Sequence, residues 1–164
     1  MTMRVYVGTY AKYNDGSLFG KWLSLEDYND KEEFLKACAE LHSDEEDPEL
    51  MFQDWEGIPS GMVSECSVDA ECWTLLDAYE RYDEGAVIAY CQCFGEWNEA
   101  RFNDSFRGEF DSWETMAEEL LEETGVIYEI PENLRYYFDY EKYARDLRIA
   151  GDLVEHSGYF FWGH

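Results

Sequence analysis

Between residues 37 and 100 the chain carries 17 acidic side chains and a single base, Arg81. That block constrains the fold more than any other feature. An ionised carboxylate taken out of water without a partner costs more than a small domain's whole stability, and here there is one base to serve as partner. These acids must stay at the surface, and the core must be assembled from the residues between them. Bases concentrate instead in residues 4–36 and 101–148, so mixed ends flank a centre of nearly pure negative charge. In total 38 acids against 12 bases give a net charge of −26, well past the magnitude of about 2 to 8 that keeps a small domain soluble. Self-repulsion on this scale opposes compaction, so added salt is expected to raise the melting temperature by screening.

The residues between the acids can supply a core. Six Trp, 13 Tyr and 10 Phe are too many rings to leave in water, which excludes a disordered acidic tail. With 164 residues and 46% hydrophobic content, the chain suits one ordinary domain or two to three very small ones. Cys38, Cys66, Cys72, Cys91 and Cys93 are odd in number and sit among apolar residues, which favours reduced thiols over a disulfide framework. No signal-peptide pattern opens the chain and no apolar run approaches 18 residues, so a soluble cytoplasmic protein is expected.

Apolar alternation over residues 4–10 and again over 20–25 predicts an antiparallel pair joined by a loop at Tyr13-Asn14-Asp15-Gly16. Asn29 or Asp30 followed by Glu32 and Glu33 is a capping signature for a helix over 30–42, with Phe34, Leu35, Cys38 and Leu41 on its apolar face. A strand over Leu50–Glu56 completes a small sheet, ending at Gly57-Ile58-Pro59-Ser60-Gly61, the best candidate boundary. The connection at residues 43–49 holds five acids in seven positions and reads as a solvated loop. Helical periodicity follows over 68–82, 85–94 and 96–104, then a strand or hairpin over 102–110. Asp111 or Ser112 caps a helix running to Glu123, with Trp113, Met116, Ala117, Leu120 and Leu121 inward and five glutamates outward. A helix over 139–149 places Tyr140, Tyr143, Ala144, Leu147 and Arg148 on one face, pairs Glu141 with Arg145 and Lys142 with Asp146, and meets a carboxyl-terminal cap at Gly151. A hairpin around His156-Ser157-Gly158 ends the chain, its rings packed on the third unit or on a second subunit. The expected class is α+β, in three small units: 1–60 (antiparallel sheet plus helix), 61–100 (helical) and 101–164 (short strands plus helices).

Catalytic chemistry finds little footing. Asp54 and Glu56 share a strand face as a glycosidase pair would, but among 38 acids such coincidences are expected. Cys91-Gln92-Cys93 lacks zinc-pair spacing, and His42, His156 and His164 are scattered, so neither metal nor cofactor is expected. There is no Gly-rich phosphate loop, dinucleotide fingerprint or nucleophile elbow. With so few bases, direct binding to nucleic acid is disfavoured, and no enzymatic activity is predicted.

Residues 133–147 read Asn-Leu-Arg-Tyr-Tyr-Phe-Asp-Tyr-Glu-Lys-Tyr-Ala-Arg-Asp-Leu, an order that resembles the signature segment of the ArdA antirestriction family. The opening is similar too, in Val5-Tyr6-Val7 and in Tyr13-Asn14-Asp15-Gly16-Ser17-Leu18-Phe19-Gly20-Lys21-Trp22. The resemblance implies an elongated, non-enzymatic protein of three small units, carried on mobile genetic elements and dimerising through its last unit. Such a protein imitates the charge of duplex DNA and occupies the DNA-binding surface of type I restriction-modification enzymes, including their methyltransferase core. On that reading the DNA-mimic surface comprises Asp44, Glu45, Glu46, Asp47, Glu49, Asp69, Asp77, Glu80, Asp83, Glu84, Glu96, Glu99, Glu114, Glu118, Glu119, Glu122, Glu123, Asp139, Glu141 and Asp146. Tyr136, Tyr137 and Phe138, three consecutive rings that one helix face cannot bury together, are the candidates for the contact within a homodimer. Two other classes fit the composition: a salt-adapted acidic enzyme, and an acidic adaptor or chaperone for another basic protein. The nearly base-free centre favours a dedicated surface, since salt adaptation spreads acids everywhere.

Overall fold

In the first sheet, β1 (Arg4–Thr9) lies between its two partners, and its apolar positions Val5 and Val7 are fully buried. This computed structural model describes residues 2–163, so His164 lies outside the described residues. Where a loop is expected, the chain first makes a short helix, α1 (Tyr10–Asn14), because the Thr9 hydroxyl accepts the Lys12 amide as an N-cap. The expected antiparallel partner follows as β2 (Lys21–Ser24), with Val5 opposite Leu23. After a 3-10 turn at Leu25–Asp27, the capping signature closes on α2 (Lys31–Leu41). The Asp30 carboxylate accepts the Glu33 amide at 2.8 Å, and the Glu33 carboxylate accepts the Asn29 amide at 2.8 Å. β3 (Leu50–Glu56) spans the residues that alternation marks and pairs with β1, giving the order β2-β1-β3.

Phe34 of α2 stacks on Phe52 of β3 and meets Trp73 at a ring-centroid distance of 5.7 Å. Trp73 belongs to α3 (Glu71–Arg81), and its indole N–H donates to the carbonyls of Leu25 and Tyr28, which fixes that helix on the sheet unit. α3 starts three residues after its periodicity does, because Val68 is first taken into a β-bridge with Val63.

The chain divides into two compact units, one ending at Arg81 and the other beginning at Tyr82. The second opens with α4 (Glu84–Phe94) and α5 (Glu99–Ser105), then β4 (Phe106–Glu109) and α6 (Trp113–Glu123). A 3-10 turn at Val126–Glu129 and α7 (Glu132–Arg135), neither expected from periodicity, lead into α8 (Tyr140–Ala150). Gly151 takes φ 79° at the end of α8, a left-handed conformation that favours glycine. The terminal hairpin, β5 (Leu153–His156) and β6 (Tyr159–Trp162), turns on Ser157 and Gly158, both at positive φ.

β6 is the middle strand of the order β4-β6-β5, and successive side chains on a strand point to opposite faces. Phe161 therefore joins Ala86, Ala89, Tyr90 and Phe102 on one side, while Phe160 joins Met116, Leu120 and Leu153 on the other. Burying each ring contributes about 2 to 3 kcal/mol. Helices lie outside two small antiparallel sheets, so the α+β class holds.

Candidate functional site

None of the 38 acids is buried; the buried polar side chains among the described residues are Thr9, His42 and Ser105. This is the arrangement that a base-poor block demands. Of the acids assigned to the DNA-mimic surface, Glu45, Glu84 and Glu99 are half-buried and all the rest are exposed. α6 shows how the sequence achieves this: it buries Met116, Ala117, Leu120 and Leu121 and turns Glu114, Glu118, Glu119, Glu122 and Glu123 to solvent. α8 does the same with Glu141 and Asp146, and α3 with Asp77 and Glu80.

Several of these carboxylates also hold the backbone. Asp83 caps α4 by accepting the Gly85 amide and also accepts the Tyr159 hydroxyl at 3.0 Å. Asp139 caps α8, Asp69 accepts the Glu71 amide, and Glu99 accepts the Tyr82 hydroxyl at 2.7 Å. A negative side chain at a helix N-terminus gains from the dipole, so capping and the display of charge are compatible. Asp77 with Arg81 and Glu123 with Arg107 form ion pairs at 2.8 and 2.6 Å, which locally cancel charge. Glu56 is paired with Arg4 at 2.7 Å, and Asp54 is exposed.

The arginines are largely committed to the scaffold. Arg101 lies over the Phe94 ring at 4.5 Å and Arg148 over Trp113 at 5.9 Å. Arg135 donates to the carbonyls of Ile127 and Ile130 and lies over Tyr128, tying the 3-10 turn to α7.

Residues 43–49 form the exposed loop expected, but it is tied down at its amino-terminal end. The Lys12 ammonium donates to His42 Nδ1 at 3.0 Å, to Asp44 Oδ1 at 2.9 Å and to Glu45 Oε2 at 2.7 Å, and Glu45 also accepts the Thr9 hydroxyl. The hydrogen bond to Glu45 is the foremost reason that the Lys12 pKa rises, and bonding to Lys12 holds the Asp44 and Glu45 carboxyls below their ordinary values. His42, Asp44 and Glu45 lie close enough together to hold a metal ion, but their facing atoms already accept from Lys12. Glu46, Asp47 and Glu49 remain exposed along the same loop. No local pattern joins Lys12 to residues some 30 positions later, and the contact is created by the pairing of β1 with β3.

The family model for the antirestriction protein ArdA matches residues 5–161. The chain belongs to the ArdA antirestriction family. No curated protein matches the chain.

Within this ArdA-family scaffold the three signature rings do not behave alike. Tyr136 is 90% and Tyr137 77% exposed, whereas Phe138 is half-buried against Tyr140 and Tyr143, at 5.0 and 5.8 Å. Tyr128 and Leu134 are also exposed in the segment before α8. The thiols do not form a reactive centre. Burial pushes Cys38 up to about 12 and Cys72 and Cys91 to about 11, and only Cys66 is exposed. Cys91 and Cys93, two apart on α4, point in different directions and do not make a metal pair.

Proposed function

We propose that the chain inhibits type I restriction-modification enzymes as a DNA mimic, binding the DNA cleft of their methyltransferase core in competition with the duplex. The observation that carries this reading is that all 38 acids reach solvent, while Arg101, Arg135 and Arg148 are engaged with rings and backbone rather than spread among the carboxylates. Carboxylates three or four apart on α6 lie roughly 5 to 6 Å from one another. Duplex DNA presents one charge per about 1.7 Å of axis, so several such faces together approach its density. A basic cleft shaped for phosphate meets a comparable field.

The mechanism is stoichiometric and uses no catalytic group or cofactor. The protein works as a homodimer joined through Tyr136, Tyr137 and Phe138; the exposed neighbouring rings of Tyr136 and Tyr137 are otherwise costly to leave in water. The test is competition between the purified protein and labelled DNA for a type I methyltransferase at several salt concentrations. Inhibition should be overcome by excess DNA and weaken steeply with salt. Inhibition that excess DNA leaves unchanged, or that salt leaves unchanged, contradicts the mimic reading.

A further inference from the structure

The network around Lys12 assigns that base a task opposite to its charge. We propose that Lys12 is the positioning residue of the acidic loop at residues 43–49, and that it strengthens binding to the basic cleft although it subtracts one negative charge; this rests on the DNA-mimic reading.

The bonding is complete on both sides. An ammonium has three N–H donors and no acceptor, and all three are directed, to His42 Nδ1, Asp44 Oδ1 and Glu45 Oε2. His42 is fully buried, and its Nε2 lies 3.0 Å from the Val7 carbonyl, which can only accept. Since Lys12 can only donate, the imidazole must be neutral with its proton on Nε2. The ring is thus fixed between β1 and Lys12. Thr9 adds a second anchor, because its hydroxyl accepts the Lys12 amide and donates to Glu45. Further along, the Tyr10 amide donates to the Glu49 carbonyl, so the loop is held at both ends with exposed Glu46 and Asp47 between. A seven-residue loop with five acids would otherwise spread by self-repulsion. One internal cation converts it into a fixed array, and a partner that reads spacing then meets charge already in place.

A pure charge account and this one predict opposite signs, which makes the test sharp. Lys12→Met and Lys36→Met each make the chain more negative by one, and Lys36 is exposed on α2, whereas Lys12 bonds to the loop. Competition against labelled DNA for a type I methyltransferase should show Lys12→Met weaker by roughly tenfold, the scale of one lost charge-assisted contact, with Lys36→Met equal to or tighter than the unaltered chain. Amide hydrogen exchange on the free protein should show residues 43–49 losing protection in Lys12→Met while α4 and α6 keep theirs. Equal or tighter binding by Lys12→Met, or unchanged exchange in the loop, overturns the assignment. Nitrogen NMR of the unaltered chain provides a readout that needs no variant: His42 must carry its proton on Nε2, and an Nδ1–H form overturns the network even if Lys12→Met does not fold. If the unaltered chain does not compete with DNA, the mimic reading fails and the exchange and tautomer measurements decide the role of Lys12 in ordering the loop.

Discussion

Replacing Glu118, Glu119 and Glu122 with glutamine sets fold and function against each other on one helix. All three are exposed on α6, and like charges stand three or four apart in the pairs Glu114 with Glu118, Glu118 with Glu122, Glu119 with Glu122, and Glu119 with Glu123. Each pair opposes the helix by roughly 0.2 to 0.5 kcal/mol at low salt, so relieving all four stabilises by about 1 to 2 kcal/mol. Glutamine has nearly the helix propensity of glutamate, and Glu114 stays to favour the N-terminal dipole. Glu122 sits in a last turn that holds no base, so its loss also removes an unfavourable dipole contact. Glu123 is left in place because it pairs with Arg107. The melting temperature at low salt should rise by about 2 to 8 °C, measured calorimetrically. Burial foremost, then Glu118 and Glu122, raise the Tyr140 pKa, so ultraviolet titration of the variant should bring that phenol back toward its ordinary 10.0. Binding should move the other way. If each carboxylate stands in for a phosphate, the slope of log affinity against log salt becomes shallower by about 2 to 3. A variant that melts lower, or that competes with an unchanged salt slope, refutes the idea that these acids are kept for a partner at a cost to the helix.

Three further outcomes follow from the geometry. Under the proposed dimer, replacing Tyr136 and Tyr137 together with serine should shift sedimentation to the monomer with a stability change within about 0.5 kcal/mol, because both rings are exposed; an unchanged sedimentation profile removes them from the interface. Under native conditions a thiol reagent should modify Cys66 rapidly and Cys38, Cys72 and Cys91 only on unfolding, since burial raises the last three; mass spectrometry of the labelled peptides checks this. Asp44 and Glu45 titrate below their ordinary 3.8 and 4.5 because of Lys12, so their stabilisation is complete above those values and is lost as pH falls through the lowered ones. Hydrogen exchange at residues 43–49, corrected for intrinsic rate, should therefore accelerate below about pH 4 before the core opens.

Much of the fold is written locally. The alternation at Val5 and Val7, the Asp30 and Glu33 capping pair, the apolar stripe of α6 and the Ser157-Gly158 turn each depend on neighbours a few residues apart, and each forms as its spacing dictates. The short segments failed to announce themselves. α1 depends on one hydroxyl cap, and α7 with its preceding 3-10 turn depends on Arg135 reaching back to the carbonyls of Ile127 and Ile130. Segments of four or five residues are too brief for a period to register.

What the sequence determined by itself is the placement of charge: a stretch with 17 acids and one base has no means of burying carboxylates, so their exposure followed before any contact was known. Apart from Asp77 with Arg81, four apart on α3, only tertiary structure decided which bases cancel which acids. Arg135 and Arg148 were drawn to rings and carbonyls, while Lys12 was carried by the β1 and β3 pairing onto a loop some thirty residues away. Burial is a property of composition over a long window, whereas an ion pair depends on which distant side chains the sheet register brings within about 3 Å.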